Sequence, residues 1–179
     1  MVYTYQEAIE IYKNDFQLKK AIANKEIFQI EEGIYSKEKN VSELEIISKK
    51  YSHGIFTLNS AFYYYGLTDD IPDLYFLKIP KNKRIKDERV FCVYENSSNI
   101  NLGVCTIEYN GVKIKIYNRE RLLIELIRNK KKLPFDYYKE ILVNYRRIID
   151  ELDMQMIQEF AYALPKTNII VETLQMEVL

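Results

Sequence analysis

The chain has 179 residues, 47% of them hydrophobic, so it can bury a core and form one or two domains. Its 26 basic and 26 acidic side chains cancel, which excludes a global electrostatic field that would draw the protein to nucleic acid or to a membrane. The N-terminus lacks a basic-then-apolar signal, and no apolar run approaches the roughly 18 residues of a membrane span, so we expect a cytoplasmic protein without a membrane partner.

The first segment is predicted to form two helices followed by a β-wing. Thr4 can cap a helix over residues 4–12, and Glu7 can complete a capping box with it. Asn14 can cap a second helix, because an asparagine side chain accepts a hydrogen bond from the first turn. Residues 27–35 then alternate apolar and polar side chains up to a glycine turn, the pattern of a short β-wing.

This order of elements is typical of a winged helix-turn-helix, here assigned to residues 1–36 and truncated, because the usual leading helix is not seen. The second helix of such a module enters the major groove of DNA. The candidate DNA-binding residues are therefore Gln17, Lys20 and Asn24, which share one face of that helix. The segment holds four lysines against six acidic side chains, which argues against strong phosphate binding. A winged-helix fold used only for packing or protein contact remains the alternative.

Residues 41–179 are predicted to form a separate α+β domain. It begins with an amphipathic helix at 41–50 and a second helix at 60–65 that ends at Gly66. Aromatic and β-branched side chains indicate strands at 74–79 and 89–94.

The dipeptide Asn110-Gly111 is the strongest turn signal in the chain, because a type I′ hairpin needs positive φ at both positions. Counting outward from it, Tyr109 faces Val112 and Cys105 faces Ile116, which makes one face of the hairpin apolar. We therefore expect a small, largely antiparallel sheet packed on one side by the helices that follow.

Three helices and a last amphipathic segment are predicted after this hairpin, at 119–129, after Pro134, at 153–164 and at 169–179. Residues 110–150 hold 11 basic against five acidic side chains, the one charge asymmetry in the chain. It predicts either an ordinary solvated helix face or a docking surface for an acidic protein or nucleic acid. The residues of this candidate basic face are Arg121, Arg128, Lys130, Lys131, Lys132, Arg146 and Arg147.

No catalytic, metal-binding or cofactor-binding pattern is evident. Cys92 and Cys105 lack the spacing of zinc ligands and are interpreted as reduced thiols. His53 has no nucleophile or acid at a recognisable spacing, so we interpret it as a structural or loop residue. The acidic trio Asp69, Asp70 and Asp73 surrounds Pro72 and is interpreted as turn and cap residues in preference to metal ligands. We therefore expect a protein that is not an enzyme and needs no cofactor or metal.

Four segments, in this order, resemble the AbiEi family of antitoxins from bacterial type IV toxin-antitoxin systems. They are Tyr3-Thr4-Tyr5-Gln6-Glu7-Ala8 at the start of the helix pair, Ile27-Phe28-Gln29-Ile30-Glu31-Glu32-Gly33-Ile34-Tyr35 as the wing, Ser60-Ala61-Phe62-Tyr63-Tyr64-Tyr65-Gly66-Leu67-Thr68-Asp69, and Tyr117-Asn118-Arg119-Glu120-Arg121-Leu122-Leu123-Ile124-Glu125-Leu126. The last is similar to the family's Arg-Thr-Leu-x-Asp helix start, with Leu122 and Glu125 in place of Thr and Asp.

The resemblance implies an antitoxin whose C-terminal domain counteracts a cognate nucleotidyltransferase toxin in phage defence by abortive infection. It also implies that the N-terminal winged helix represses the operon's own promoter DNA. This chain departs from the family at Glu31 and Glu32, where the wing usually carries basic residues. The alternative is a stand-alone winged-helix transcriptional regulator without a toxin partner.

Overall fold

The protein is α+β. A computed structural model describes residues 1–178. The α-helices in this range are α1 (Tyr5–Tyr12), α2 (Asp15–Ala23), α3 (Glu43–Lys50), α4 (Leu58–Tyr64), α5 (Arg119–Arg128), α6 (Phe135–Arg147), α7 (Met154–Ala163) and α8 (Thr167–Thr173). The strands are β1 (Val2–Thr4), β2 (Phe28–Glu31), β3 (Ile34–Ser36), β4 (Ile55–Phe56), β5 (Tyr75–Pro80), β6 (Val90–Glu95), β7 (Val104–Tyr109) and β8 (Val112–Tyr117). Short 3₁₀ turns follow at Lys130–Lys132 and Ile149–Glu151, and a π-helical turn at Leu174–Val178.

The chain divides into two compact units. The first contains residues 1–53 with 108–114, and the second contains residues 54–107 with 115–179. The sequence pattern placed a domain boundary between residues 36 and 41, whereas the first unit also includes α3. The reason is hydrophobic contact, because Ile46 of α3 lies in one buried cluster with Val2 and Ile34.

The first two helices begin at the predicted caps. The Thr4 hydroxyl accepts a hydrogen bond from the Glu7 backbone N–H at 3.3 Å, and the Glu7 carboxylate accepts one from the Thr4 N–H at 2.8 Å. This reciprocal pair is the predicted capping box. The Asn14 side chain likewise accepts from the Gln17 N–H at 2.9 Å and starts α2. Both cap predictions are confirmed.

A three-stranded sheet with the order β1-β3-β2 completes the first unit. Strands β2 and β3 pair antiparallel around a turn in which Gly33 has φ +74°, a value that glycine adopts without strain. Strand β1 pairs antiparallel with the other edge of β3 and was not predicted, since three residues are too few for a period-2 pattern. The unit's core is formed by the buried residues Ala8, Leu18, Ala21, Ile27 and Tyr35.

The second unit is built on a five-stranded sheet with the order β6-β5-β4-β8-β7. The prediction of a largely antiparallel sheet is wrong. Strand β5 pairs with β6 in parallel and β4 pairs with β8 in parallel, whereas β4 and β5 are antiparallel. The physical reason is the connection between β5 and β6. Residues 81–89 can span up to roughly 30 Å when extended, enough to return along a six-residue strand and enter β6 in the same direction.

The predicted hairpin turn lies between β7 and β8, which are neighbours in this sheet. Asn110 has φ +48° and Gly111 has φ +77°, so both central residues adopt the left-handed conformation that the turn requires. The turn is therefore confirmed, while the residue-by-residue register across it stays a prediction.

Helix α5 is the centre of the second unit. Every residue from position 121 to position 127 is buried, including two that are charged. Helices α4, α7 and α8 all pack against it. The helices predicted near 119–129, after Pro134 and near 153–164 are confirmed as α5, α6 and α7. Within residues 1–178, no helix combines the length and apolar character that crossing a membrane would require.

Candidate functional site

Five charged side chains meet in the interior of the second unit, and we call them the ion cluster. Two strands and one helix supply them: Lys78 comes from β5, Glu95 from the end of β6, and the other three from consecutive turns of α5. The members of the ion cluster are Lys78, Glu95, Arg121, Glu125 and Arg128. Buried charges persist in proteins only when they are paired and hydrogen-bonded, so their geometry is decisive.

Glu125 is the hub of the ion cluster. Its carboxylate accepts hydrogen bonds from Lys78 Nζ at 2.7 Å and from one Arg128 nitrogen at 2.6 Å. Arg121 donates two more, from Nε at 3.1 Å and from a terminal nitrogen at 3.0 Å, to the same oxygen. The side chain of Glu125 is fully buried, so these three cations replace water around it.

Glu95 is the second anion of the ion cluster. It accepts a hydrogen bond from Arg128 at 2.9 Å and lies 3.6 Å from Arg121 and 3.8 Å from Lys78. Both carboxylates are thus shared among all three cations. With three cations and two anions, the cluster holds one more positive than negative charge.

The pKa values of the cluster follow from this arrangement. Burial by itself would raise the pKa of Glu125, but the charges of Lys78, Arg128 and Arg121 outweigh it and lower that pKa to about 2. The pKa of Glu95 is lowered for the same balance of reasons, with Arg128 as its main cationic partner. The pKa of Lys78 is also lowered, because its loss of hydration exceeds the attraction of the two carboxylates and Arg128 repels it. Loss of hydration is thus the main reason that the pKa of Lys78 is lowered.

Arg121 also forms hydrogen bonds with the backbone of the loop that precedes β7. One of its terminal nitrogens donates to the backbone oxygens of Asn99 and Leu102, each at 3.0 Å. The Tyr117 hydroxyl donates to the backbone oxygen of the intervening Ile100 at 2.7 Å. Gly103 closes this loop with φ +75°, and a Cβ placed there would lie 2.6 Å from Arg121 Cβ. The loop is therefore held against α5 by backbone contacts that only glycine permits at this point.

The sequence placed two members of the ion cluster on an exposed basic face, and this was wrong for both. Arg121 is fully buried and the Arg128 side chain is only 13% exposed, because each is needed to neutralise Glu95 and Glu125. The other predicted members of that face are at the surface of the second unit. Arg146 donates to the backbone oxygen of Glu177 at 2.7 Å, and Lys130 forms an ion pair with the Glu177 carboxylate. Lys131, Lys132 and Arg147 are exposed.

The candidate DNA-binding residues Gln17, Lys20 and Asn24 are all exposed on α2 or at its C-cap. The side-chain amide of Asn24 donates to the Glu26 carboxylate at 3.1 Å, so one of the two amide N–H groups of Asn24 is already hydrogen-bonded. Their spacing of three and four positions places them on one side of the helix, and their contact with DNA stays a prediction.

Acidic and thiol side chains of the described residues do not assemble into a metal centre. Within positions 1–178, no group of three or more His, Cys, Asp or Glu side chains is placed to hold a metal ion. Asp70 and Asp73 line a surface cavity of about 520 Å³ together with Asn59 and Tyr137. The Asp70 N–H donates to the Thr68 hydroxyl at 3.1 Å, so the threonine side chain makes this turn contact, and the turn and cap roles of the three aspartates stay a prediction. Cys92 and Cys105 are free thiols.

Sequence reasoning missed the ion cluster as a unit, although two signals pointed to it. Lys78 interrupts an otherwise aromatic and aliphatic strand, where a lysine is unusual unless it is paired. Arg121, Glu125 and Arg128 have the spacing of ion pairs along one helix face. What the sequence did not show is that this face is opposed by a sheet and not by solvent.

Comparison with known proteins yields a structural likeness only. No family model and no curated protein matches the chain. A similar fold is found in the crystal structure of the RV2827C protein from Mycobacterium tuberculosis, with a TM-score of 0.60 and 13% sequence identity. The match covers 98% of this chain and 71% of the other. At this identity the likeness concerns the fold alone.

Proposed function

We propose that the protein is a non-enzymatic antitoxin that counteracts a cognate nucleotidyltransferase toxin. The observation that carries the proposal is the position of the segments that resemble the AbiEi antitoxins. The segment Tyr117–Leu126 supplies Arg121 and Glu125, which are central to the ion cluster, and the segment 60–69 begins within α4, which packs against α5. Two sequence stretches with the same family resemblance thus form one structural core.

The exposed basic residues Lys131, Lys132 and Arg147 are the surface that we assign to this role. They belong to the same unit as the ion cluster, Lys131 and Lys132 in the 3₁₀ turn after α5 and Arg147 at the end of α6. A basic surface attracts an acidic protein or a nucleic acid that the toxin also uses, and it does so mainly by raising the association rate.

The first unit is proposed to be a winged helix that binds the operon's promoter. Support comes from the order β1-α1-α2-β2-β3 and from the central place of β3 in its sheet. Helix α2 would then enter the major groove with Gln17, Lys20 and Asn24. Helix α3 packs beside β1, so it supplies a third helix to the module from its C-terminal side.

The charge of the wing is less adverse to DNA than the composition of residues 1–36 indicated. Lys50 lies 2.9 Å from the Glu31 carboxylate, and Lys49 lies 2.6 Å from Glu7. Both lysines belong to α3, outside residues 1–36. Two of the acidic groups are therefore neutralised within the unit itself, which lowers their repulsion of phosphate.

Growth measurements test the antitoxin role. The nucleotidyltransferase encoded next to this gene is expressed from an inducible promoter, with and without the intact chain. We expect growth arrest by the toxin alone and recovery when the chain is co-expressed. The double variant Lys131→Glu with Arg147→Glu should lose the recovery, whereas Lys20→Glu should keep it. Absence of recovery with the wild-type chain would refute the antitoxin role.

A gel-shift assay on the DNA upstream of the gene tests the winged helix separately. We expect a shift that weakens with added salt, because phosphate contacts release counterions. Here Lys20→Glu should abolish the shift and the double variant of the basic surface should retain it. A shift without any growth recovery would favour the second candidate, a transcriptional regulator that acts without a toxin partner.

A further inference from the structure

An open groove runs along the free edge of the five-stranded sheet, and we call it the edge groove. One wall is strand β6, which is the outermost strand of the sheet, and the other is the turn after α5. Its volume is about 380 Å³. The lining residues that matter here are Phe76, Phe91, Cys92, Tyr94 and Lys132.

The backbone of β6 offers unused hydrogen-bonding groups to this groove. The Tyr75 N–H donates to the Arg89 oxygen at 2.8 Å, and the Lys81 N–H donates to the Glu95 oxygen at 3.2 Å. In a parallel pair, alternate residues of a strand direct both backbone groups to the same neighbour. Since Arg89 and Glu95 face β5, the N–H and C=O groups of Cys92 and Tyr94 face the open edge.

The floor and rim of the groove are apolar and partly exposed. Phe91 is 47% exposed and Tyr94 is 43% exposed, and their side chains leave opposite faces of β6 because they are three positions apart. The Phe91 ring stacks on Phe76 with centroids 4.8 Å apart, and the Arg84 guanidinium lies 4.9 Å from the centre of the Tyr94 ring. Each ring thus has one neighbour within the protein, and its exposed remainder is open to an occupant of the groove.

The charge around the groove is of one sign. Lys132 is the charged side chain among the lining residues, and no carboxylate accompanies it there. The connection of residues 81–89, which leads into β6, adds five basic against two acidic side chains. Glu95, at the end of the strand, is neutralised by Arg128 inside the protein. An occupant of the groove is therefore favoured when it carries negative charge.

We propose that the edge groove binds an extended acidic peptide segment of a partner protein, which adds to the sheet as a strand beside β6. Backbone groups of the peptide pair with Cys92 and Tyr94, its apolar side chains rest on Phe91, and its carboxylates face Lys132 and Arg84. This is the mode of recognition by β-strand addition, in which main-chain hydrogen bonds supply affinity and alternate side chains supply selectivity. The proposal goes beyond the antitoxin role, although Lys132 also belongs to the basic surface assigned to that role.

A fluorescein-labelled nonapeptide of sequence Glu-Asp-Val-Glu-Val-Tyr-Val-Asp-Glu tests it by fluorescence anisotropy with the intact chain. We expect binding below about 1 mM, and a loss of about tenfold or more when alternate peptide nitrogens are methylated on the edge that meets β6. Lys132→Glu and Phe91→Ala should each weaken binding by about fivefold or more, since both side chains are exposed and line the groove. Lys139→Glu, at an exposed lysine of α6 outside the groove and outside the basic surface, is the matched control and should change binding by less than about twofold.

Three results would overturn the proposal. One is the absence of peptide binding at about 1 mM. Another is equal binding of the methylated and unmethylated peptides, because strand addition depends on those N–H groups. The third is tighter binding of a decameric oligouridine than of the peptide with the same dependence on Phe91 and Lys132, which would assign the groove to single-stranded nucleic acid.

Discussion

Removing an anion from the ion cluster should cost far more stability than removing a cation. Wild-type protein buries three cations with two anions. Glu125→Gln leaves three cations with Glu95 alone, an excess of two positive charges in a site that water does not reach. Lys78→Met instead leaves two arginines with two carboxylates, which balance.

The magnitude follows from the contacts that are lost. Glu125 accepts four hydrogen bonds from three cations, and breaking a buried pair by removing one partner costs about 3–5 kcal/mol. We expect Glu125→Gln to lie in that range, which lowers the melting temperature of a chain of this size by roughly 10 °C. Lys78→Met should change the free energy of unfolding by no more than about 1 kcal/mol, because an unbranched apolar side chain of similar volume replaces a partly compensated charge.

Far-UV circular dichroism during thermal and urea unfolding measures both variants. Lys131→Met serves as a control for the exchange of lysine for methionine at an exposed position and should stay within about 0.5 kcal/mol of wild type. The double variant Lys78→Met with Glu125→Gln restores the wild-type excess of one positive charge, so it should be more stable than Glu125→Gln alone. Equal losses for Glu125→Gln and Lys78→Met would refute the reasoning from net charge.

The same carboxylate makes stability depend on pH. The folded-state pKa of Glu125 is about 2, against an ordinary value of 4.5. A depressed pKa contributes stability that is fully present above the unfolded value and is lost as the pH falls toward the folded value. We therefore expect the free energy of unfolding to fall between about pH 4.5 and pH 2 in wild type, with a shallower fall in Glu125→Gln.

Three further predictions concern the glycine of the closing loop, the buried tyrosines and the first helix cap. Gly103→Ala should destabilise the protein by about 2–4 kcal/mol in thermal melts, because the new methyl group meets the Arg121 side chain. Gly66→Ala is the control: Gly66 also has positive φ but open space around it, so this change should cost about 1 kcal/mol. Burial raises the pKa values of Tyr117 and Tyr145. Their contribution to the free energy of unfolding is therefore complete below pH 10 and should be lost as the pH rises above 10. Absorbance at 295 nm should show these two phenols ionising at a higher pH than exposed tyrosines. Thr4→Ala should cost about 1 kcal/mol by removing the capping box, measured by amide hydrogen exchange in α1, and Thr4→Ser should retain most of the stability.

The parts of the fold that local chemistry decides were predictable from sequence. Thr4 and Asn14 mark the starts of their helices in the sequence, because a cap hydrogen bond joins residues only three positions apart. The Asn110-Gly111 turn is equally local. The direction of β6 was not predictable, since the course of residues 81–89 depends on what they pack against. Parallel strands usually need a connection of about a dozen residues or more, so the short connection favoured an antiparallel sheet.

The ion cluster, too, was only partly predictable from the sequence. The spacing of Arg121, Glu125 and Arg128 is visible in the sequence, but a charged helix face ordinarily meets solvent. Its burial depends on Lys78 and Glu95, which lie more than 20 residues away along the chain and become neighbours only when the sheet is formed. Gln17 and Lys20 are exposed on α2, where helical periodicity alone gives residues three positions apart a common face.

The mixed sheet of the second unit also sets an order in which its parts can assemble. Partners in the β5–β6 pair are 15 residues apart in sequence, whereas Phe56 of β4 and its partner Ile116 of β8 are 60 residues apart. Loop-closure entropy favours the nearer contact, so we expect β5 and β6 to pair early and β8 to join β4 late. Lys78 and Glu95 would then be in place, still hydrated, before α5 arrives with Glu125. Docking of α5 is thus the step at which these charges lose their water, and it is the step that we expect to limit the rate of folding.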